Sequence, residues 1–149
     1  MTLKDLYQEV ILDHNKNPRN FKEIKGKKQE GFNPICGDHL FVYLNVKDDK
    51  IAEISFTGDG CAISKASASM MTQSLTGKTV KEAKELFKEF HDLVTEQKEG
   101  DLDLSKSNLG KLKIFSGIKN YPARIKCASL AWHTMKACLD NKEESIKTE

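Results

Sequence analysis

Two runs of apolar residues with a period of two constrain the fold of this chain more than any other feature. In the first run the apolar positions are Leu40, Val42, Leu44 and Val46. In the second run they are Ala52, Ile54 and Phe56. This period is typical of β-strands with one buried face. The charged segment Lys47-Asp48-Asp49-Lys50 between the runs predicts a turn, so the two strands form an antiparallel hairpin.

The chain before the hairpin predicts an amphipathic helix followed by a loop. Its apolar residues recur at the spacing of one helix face: Leu3, Leu6, Tyr7, Val10 and Ile11. Thr2 and Asp5 have the spacing of a capping box, and the stretch from Asn15 to Pro18 ends the helix. The stretch 22–31, which contains several Lys and Gly residues, predicts a loop that leads into a short strand.

Helices are predicted after the hairpin as well. The small residues from Cys61 to Leu75 form one helix, and Gly77 ends it. A capping box formed by Thr79 and Glu82 begins another helix. A polar loop is expected at 99–107.

The C-terminal part predicts a short helix around 109–115 and a long helix from Pro122, which suits a first turn, to about Leu139. The core stripe of the long helix is Ile125, Ala128, Trp132, Met135 and Leu139. Together these patterns predict a single α+β domain over residues 1–149, with helices packed on one side of a small antiparallel sheet of about three strands. A charged tail is expected at about 141–149.

Charge and hydropathy disfavour several classes of function. The 24 Lys and Arg residues nearly balance the 22 Asp and Glu residues, and the two signs are interspersed. Nucleic-acid binders usually cluster their basic residues, so we expect no nucleic-acid partner. No apolar run reaches the length of about 18 residues that a transmembrane helix needs, and the N-terminus lacks the apolar stretch of a signal peptide. We therefore expect no membrane partner and a cytoplasmic location.

Four cysteines are the most informative residues for function. Thiols of a cytoplasmic protein serve as core residues, metal ligands or reactive groups, since reducing conditions disfavour structural disulfides. Their positions do not match the spacing of a compact zinc finger: Cys36, Cys61, Cys127 and Cys138. Any site that they share must therefore be assembled by the fold.

The tripeptide Cys36-Gly37-Asp38 places a thiol and a carboxylate two positions apart across a flexible glycine. Both side chains can then turn toward one metal ion, although an ordinary turn before a strand has the same composition. Cys61 follows Gly58-Asp59-Gly60 at a predicted helix N-terminus, where unpaired N–H groups and the helix dipole favour a thiolate. A small buried residue at a tight turn is the alternative for Cys61.

Helix geometry separates the remaining candidates. Cys127 lies on the order of 120° from the middle of the core stripe of the last helix, which favours a functional role over packing. Cys138 lies roughly 16 Å further along this helix, too far to share an ion that binds thiolates at about 2.3 Å, so it is expected to pack in the core. His133 is about 9 Å from Cys127 along the axis and is also disfavoured. His39 could orient the adjacent Asp38.

Three cysteines and one aspartate remain: Cys36, Asp38, Cys61 and Cys127. Three thiolates with one carboxylate suit zinc or one edge of an iron–sulfur cluster. Arg124 is a candidate counter-charge for the net negative site.

At these residues the chain resembles the IscU/SufU/NifU-N family of iron–sulfur cluster assembly proteins. The matching segments span most of the chain: Asn33-Pro34-Ile35-Cys36-Gly37-Asp38, Gly60-Cys61-Ala62-Ile63-Ser64, Arg124-Ile125-Lys126-Cys127-Ala128 and Leu130-Ala131-Trp132-His133-Thr134. The resemblance is strongest to the SufU branch. IscU-type scaffolds have a histidine where this chain has Lys126, and SufU-like members carry an inserted helical segment between the second and third cysteines.

The resemblance implies a SufE/IscU-like fold and a zinc-dependent sulfur carrier for iron–sulfur cluster assembly. The implied zinc ligands are Cys36, Asp38, Cys61 and Cys127, and Cys36 is the implied acceptor of persulfide sulfur. The implied partners are a pyridoxal-phosphate cysteine desulfurase of the SufS type and downstream assembly proteins. Two alternatives remain at this point: a scaffold that assembles a transient [2Fe–2S] cluster on the same ligands, and a structural zinc domain that mediates interactions.

Overall fold

A computed structural model describes residues 2–95, 109–141 and 146–148. Eight helices and strands of this part follow one another as α1 (Leu3–Lys16), β1 (Lys27–Asn33), β2 (Asp38–Lys47), β3 (Lys50–Asp59), α2 (Ala62–Leu75), α3 (Val80–Thr95), α4 (Pro122–Leu139) and β4 (Ile146–Lys147). A 3₁₀ helix, Gly110–Ile118, precedes α4. The predicted polar loop at 99–107 lies outside the described residues.

The four strands form one mixed sheet in the order β3-β2-β1-β4. Pairing is antiparallel between β1 and β2 and between β2 and β3, as predicted. The prediction of about three antiparallel strands was incomplete, because β4 pairs in parallel with β1 at Gly31 and Phe32. The charged tail concealed this strand, since Ile146 is the one apolar residue among positions 141–149. The α+β class is confirmed.

The hairpin turn between β2 and β3 consists of two residues, Asp48 and Asp49, with φ values of 52° and 60°. Both residues thus adopt the left-handed conformation of the turn that matches strand twist, which aspartate tolerates better than most residues. A bulge near Val46 then shifts the register. Ala52, predicted on the buried face, is exposed, while Ile51 is fully buried. The extra residue of a bulge reverses the faces of the residues beyond it.

The helices begin where their capping residues predict. The backbone N–H of Asp5 donates to Oγ1 of Thr2 at 3.1 Å, and the N–H of Glu82 donates to Oγ1 of Thr79 at 3.0 Å. Pro122 occupies the first turn of α4. No helix in the described ranges is both long enough and apolar enough to cross a membrane.

Helix α4 packs against the strands β1 and β2 and against α2. Gly31 allows this close approach, because a Cβ atom at that position would overlap the hydroxyl of Thr134. On the other side, Trp132 stacks on Phe90 with 4.6 Å between ring centroids, and its Nε1 donates to Oγ of Ser67 at 3.2 Å. These contacts fix the middle of α4 against β1, α2 and α3.

A buried hydrogen-bond network joins the C-terminal end of α1 to α2. Nδ1 of His14 lies 2.7 Å from Oγ of Ser69, and the same oxygen accepts the Arg19 N–H at 2.8 Å. The Ser69 hydroxyl proton is therefore available for a neutral imidazole. Burial, followed by the charge of Arg19, lowers the pKa of His14.

We expect the stability of the fold to depend on His14 at acid pH. Because its pKa is lowered in the fold, the stabilisation is complete above the unfolded pKa of about 6.5 and is lost as the pH falls below it. His14→Gln should reduce the fall in Tm between about pH 8 and about pH 5.5, measured at equal metal loading. An unchanged pH dependence in His14→Gln would contradict this assignment.

Candidate metal centre

Three separate segments meet at one end of the sheet. The turn between β1 and β2 carries Cys36, and β2 begins with Asp38. Cys61 is the N-cap residue of α2, and Cys127 lies in the second turn of α4. The fold therefore brings together residues that are up to 91 positions apart in the sequence.

Cys36, Asp38 and Cys127 form the tightest part of this cluster. One potential ligand atom from each of the three lies within 4.8 Å of the others, and the Sγ atoms of Cys36 and Cys127 are 3.2 Å apart. Their exposure differs sharply: Cys36 is exposed, whereas Asp38 is 0% exposed and Cys127 is 3% exposed. The cluster thus presents one accessible thiol above two buried ligand groups.

Asp38 connects the segments through both of its carboxylate oxygens. Oδ1 accepts the backbone N–H of Cys61 at 2.8 Å, and Oδ2 accepts from Nδ2 of Asn33 at 3.1 Å. Gly60 makes room for the first contact, because a Cβ there would lie 2.9 Å from Oδ1 of Asp38. A glycine directly before Cys61 therefore allows the strand-to-helix junction to approach the carboxylate.

Cys61 lies at the edge of the cluster, outside the group of three whose ligand atoms are mutually close. Its Sγ accepts the N–H of Ser64 at 3.4 Å, as expected of an N-cap side chain. A hydrogen bond with Cys127, and then the Ser64 N–H, lower the pKa of Cys61 to about 7, although burial opposes this shift. The structure therefore favours the thiolate of Cys61 at the helix N-terminus.

Cys127 is buried, unlike Cys36 and Cys61. Its interaction with Cys61, its burial and the hydrogen bond that its Sγ donates to Sγ of Cys36 raise the pKa of Cys127. Its position off the predicted core stripe does not expose it, because α4 is buried on several sides and not along one stripe. The off-stripe position instead faces Asn33, whose Nδ2 lies 3.6 Å from Sγ of Cys127.

The other sequence candidates lie elsewhere. Cys138 belongs to the hydrophobic core, and burial raises its pKa to about 11, which confirms the packing role. His133 packs with its ring edge-on to Phe87 at 5.2 Å. His39 lies on the exposed face of β2 and contacts Glu30 at 2.7 Å, so we find no contact with Asp38 that would orient it.

Asn33 is the residue of the centre to which the sequence assigned no role. It ends β1, is 0% exposed, and donates to both Asp38 and Cys127. Its Oδ1 is buried without a hydrogen-bond partner among the described residues, as is Oγ of Ser64. The one available signal in the sequence was an asparagine directly before Pro34, and its partners become visible only in the fold.

The donor set fits a zinc ion. Zinc accepts thiolate sulfur and carboxylate oxygen in tetrahedral sites, and the ligating carboxylates of such sites are regularly hydrogen-bonded to neighbouring groups. Cys36, Asp38 and Cys127 supply close donor atoms, and a neighbouring thiolate is available from Cys61. The same donors also suit an iron–sulfur cluster edge.

A cavity of about 370 Å³ opens beside the centre, lined by Lys4, Tyr7, Tyr121 and Arg124 among others. Burial raises the pKa of Tyr7, Arg124 opposes this shift, and charges on Cys61 and Cys127 add to it. Tyr7 thus lines the cavity and is close enough to the thiols for their charges to affect its pKa. The guanidinium of Arg124 lies over the Tyr121 ring, 4.6 Å from its centroid.

Comparison with known proteins places this arrangement in a family. A family model described as the NifU-like N terminal domain matches residues 6–128. The zinc-dependent sulfurtransferase SufU of Bacillus subtilis (strain 168) is 38% identical over 146 residues, which cover 95% of this chain and 94% of that protein. The iron-sulfur cluster assembly scaffold protein IscU of Streptococcus pyogenes serotype M1 is 36% identical, and the match covers 92% and 84% of the two chains.

A solved structure shows the same fold. It is described as an iron-sulfur cluster assembly scaffold protein for the SUF system from the thermophile Fervidobacterium islandicum AW-1. It superposes with a TM-score of 0.81 at 36% sequence identity, covering 91% of this chain and 97% of that chain. The chain therefore belongs to the IscU/SufU/NifU-N family of iron–sulfur cluster assembly proteins.

Proposed function

We propose that this chain is a zinc-dependent sulfur carrier of iron–sulfur cluster biogenesis, which accepts persulfide sulfur on Cys36 from a SufS-type cysteine desulfurase. The observation that carries this proposal is the gradient of exposure in the centre, where Cys36 is accessible and its two close partners are buried. A thiol that receives sulfur from another protein must be reachable. The proposed location is the cytoplasm, where thiols stay reduced.

The residues that would hold zinc are Cys36, Asp38, Cys61 and Cys127. When bound, the ion supplies positive charge that keeps the thiols deprotonated at neutral pH. Lys126 supports the sulfur carrier over the scaffold, because a lysine stands where IscU-type scaffolds have a histidine ligand. The Bacillus subtilis relative, described as a zinc-dependent sulfurtransferase, supports the same choice.

The transfer step exchanges one sulfur atom between two thiolates without net oxidation. The Cys36 thiolate attacks the outer sulfur of the desulfurase persulfide, forming a new S–S bond at Cys36. The original S–S bond breaks, and the desulfurase cysteine leaves as a thiolate with the electron pair. Cys36 then carries the transferred sulfur as a persulfide.

The backbone around Cys36 suits a side chain that moves. Cys36 lies in the short turn between Asn33 and Asp38, which pair directly across β1 and β2. Gly37 has φ +72°, and a side chain there would meet no atom within 4 Å of its Cβ, so the turn is open at this point. Cys61 and Cys127 are attached to helices, which restrict their displacement. Cys36 can therefore leave the cluster while the other residues stay.

Exposed apolar and basic side chains next to Cys36 in sequence or along the cavity suit a protein partner. Ile35 is 61% exposed and Tyr121 is 52% exposed, and such accessible apolar side chains are candidates for partner contacts. Lys4 and Arg124 line the adjacent cavity and add positive charge. We assign this surface, formed by Ile35, Tyr121, Lys4 and Arg124, to desulfurase docking and call it the docking surface.

A scaffold function is the second candidate. The same donor set could hold the edge of a [2Fe–2S] cluster, and the Streptococcus pyogenes relative is described as a scaffold. Anaerobic reconstitution that yields a stable cluster, followed by transfer to an apo-protein, would favour this function. A purely structural zinc domain is disfavoured by the exposure of Cys36, because structural sites are closed.

We expect purified protein to bind about one zinc per chain and Asp38→Ala to lose it. The substitution removes a donor and also leaves the Cys61 N–H and the Asn33 amide without their acceptor. The measurement is metal content by mass spectrometry. Asp59→Ala is the matched control, since it removes an exposed carboxylate two positions before Cys61. Full zinc content in Asp38→Ala would contradict the assigned ligand set.

Incubation with the desulfurase and cysteine should add one sulfur atom to Cys36, as mapped by peptide mass spectrometry. Cys36→Ser should abolish both this addition and the stimulation of desulfurase turnover. Cys138→Ala, which removes a core thiol, should retain both. The carrier mechanism is wrong if Cys36→Ser still stimulates the desulfurase fully.

Reversal of charge on the docking surface should weaken the desulfurase interaction. Arg124→Glu should raise the concentration of this chain needed for half-maximal stimulation by about tenfold, the effect of losing one good charged contact. Lys88→Glu makes the same change in charge on the exposed face of α3 and should have little effect. Equal responses of the two variants would reject the docking surface.

A further inference from the structure

Asn33 contacts two members of the centre through one amide group. Its Nδ2 lies 3.1 Å from Oδ2 of Asp38 and 3.6 Å from Sγ of Cys127. The side chain is 0% exposed, and Asn33 pairs with Asp38 across β1 and β2. The amide therefore connects the turn that carries Cys36 to the second turn of α4.

The chemistry of the neighbours fixes the orientation of the amide. A carboxylate accepts hydrogen bonds only, so the NH₂ group must face Oδ2 of Asp38, and the same group then lies against Sγ of Cys127. The opposite orientation would place the carbonyl oxygen against the carboxylate of Asp38. The chosen orientation leaves Oδ1 of Asn33 without a hydrogen-bond partner in the part of the chain that is described. The two donated bonds must therefore offset an unsatisfied acceptor.

The hydrogen bonds of Asp38 extend to Cys61 as well. The other oxygen of Asp38 accepts the N–H of Cys61 at 2.8 Å. Asn33 thus joins Asp38, Cys127 and, through Asp38, Cys61, and none of these hydrogen bonds involves Cys36. Three of the four proposed ligands are linked to one another independently of the one that must move.

We propose that Asn33 is a positioning residue, which holds Asp38 and the Cys127 thiolate in place when Cys36 leaves the centre. The proposal rests on the proposed function in assuming that a metal ion fills the site and that Cys36 departs. An N–H donated to a thiolate also withdraws electron density from the sulfur, so it weakens the thiolate as a nucleophile. Asn33 would thereby direct sulfur chemistry to Cys36 and away from Cys127.

Cobalt(II) is the probe, because it replaces zinc in thiolate sites and gives thiolate-to-metal charge-transfer absorption. Asn33→Ala should shift this band to lower energy, since the thiolate loses a hydrogen-bond donor. Zinc affinity should fall by about 10- to 100-fold, the usual effect of removing a partner that orients a ligand. The fall in zinc affinity should be larger in a Cys36→Ser background, where the Cys36 thiolate no longer binds the ion.

Ser69→Ala is the matched control. It removes a buried hydrogen-bonding side chain, 0% exposed, about 12 Å from Cys61 along α2. Its cobalt spectrum should match that of the wild type even though its stability falls. If Asn33→Ala does not fold, Asn33→Ser retains one donor and should give an intermediate band position.

An unchanged band and unchanged zinc affinity in the Asn33 variant that folds would overturn the proposal. Equal losses of affinity in the wild-type and Cys36→Ser backgrounds would also overturn it, because Asn33 would then have no special role in the absence of Cys36. These measurements need no sulfur donor. A failure of sulfur transfer to Cys36 would therefore count against the proposed function while the metal-binding role of Asn33 stands.

Discussion

A carboxylate buried at the end of the sheet holds the centre together. Burial removes the hydration of a carboxylate, so its oxygens need donors from the protein. Asp38 obtains them from the Cys61 backbone and the Asn33 amide, each from a different segment of the chain. Hydrogen bonds to a charged group contribute about 1.5–3 kcal/mol each. Loss of Asp38 would therefore remove a metal donor and separate the elements that position the cysteines.

The three cysteines of the centre differ in burial, and we assign them different roles on that basis. Cys127 is buried beneath the cluster, Cys61 is half-buried at a helix N-terminus, and Cys36 is exposed on a turn. Helices hold the first two, whereas Gly37 leaves the third in an open turn. A carrier needs both properties at once, because the metal must stay while one thiol exchanges sulfur. The three thiols differ in burial and in freedom to move because each is carried by a different element of secondary structure.

Local patterns predicted much of this fold, and the errors have physical causes. The period-two runs predicted the hairpin, but the bulge that exposes Ala52 depends on the pairing of β2 with β3. The strand at Ile146 was missed because its neighbours are charged and its partner is β1. Helix geometry placed Cys138 in the core correctly, since its distance from Cys127 depends only on the helix itself. The burial of Cys127 depends on what surrounds α4, which sequence does not reveal.

For the candidate site, too, the sequence predicted some residues and missed others. Chemistry of the donor types and family resemblance selected Cys36, Asp38, Cys61 and Cys127, and the structure brings Cys36, Asp38 and Cys127 into mutual contact with Cys61 adjacent. Asn33 was not selected, because an amide acquires a role only through the groups it contacts. Residues that position ligands are therefore harder to find from sequence than the ligands themselves.

The central claim is that Cys36 accepts sulfur while the remaining residues retain the metal. Native mass spectrometry after a single turnover of the desulfurase tests this most directly, because it reports zinc and added sulfur on the same molecule. The account predicts a species with one zinc and one added sulfur, and digestion should locate that sulfur on Cys36. Sulfur found only on molecules that have lost zinc, or found on Cys61 or Cys127, would contradict it.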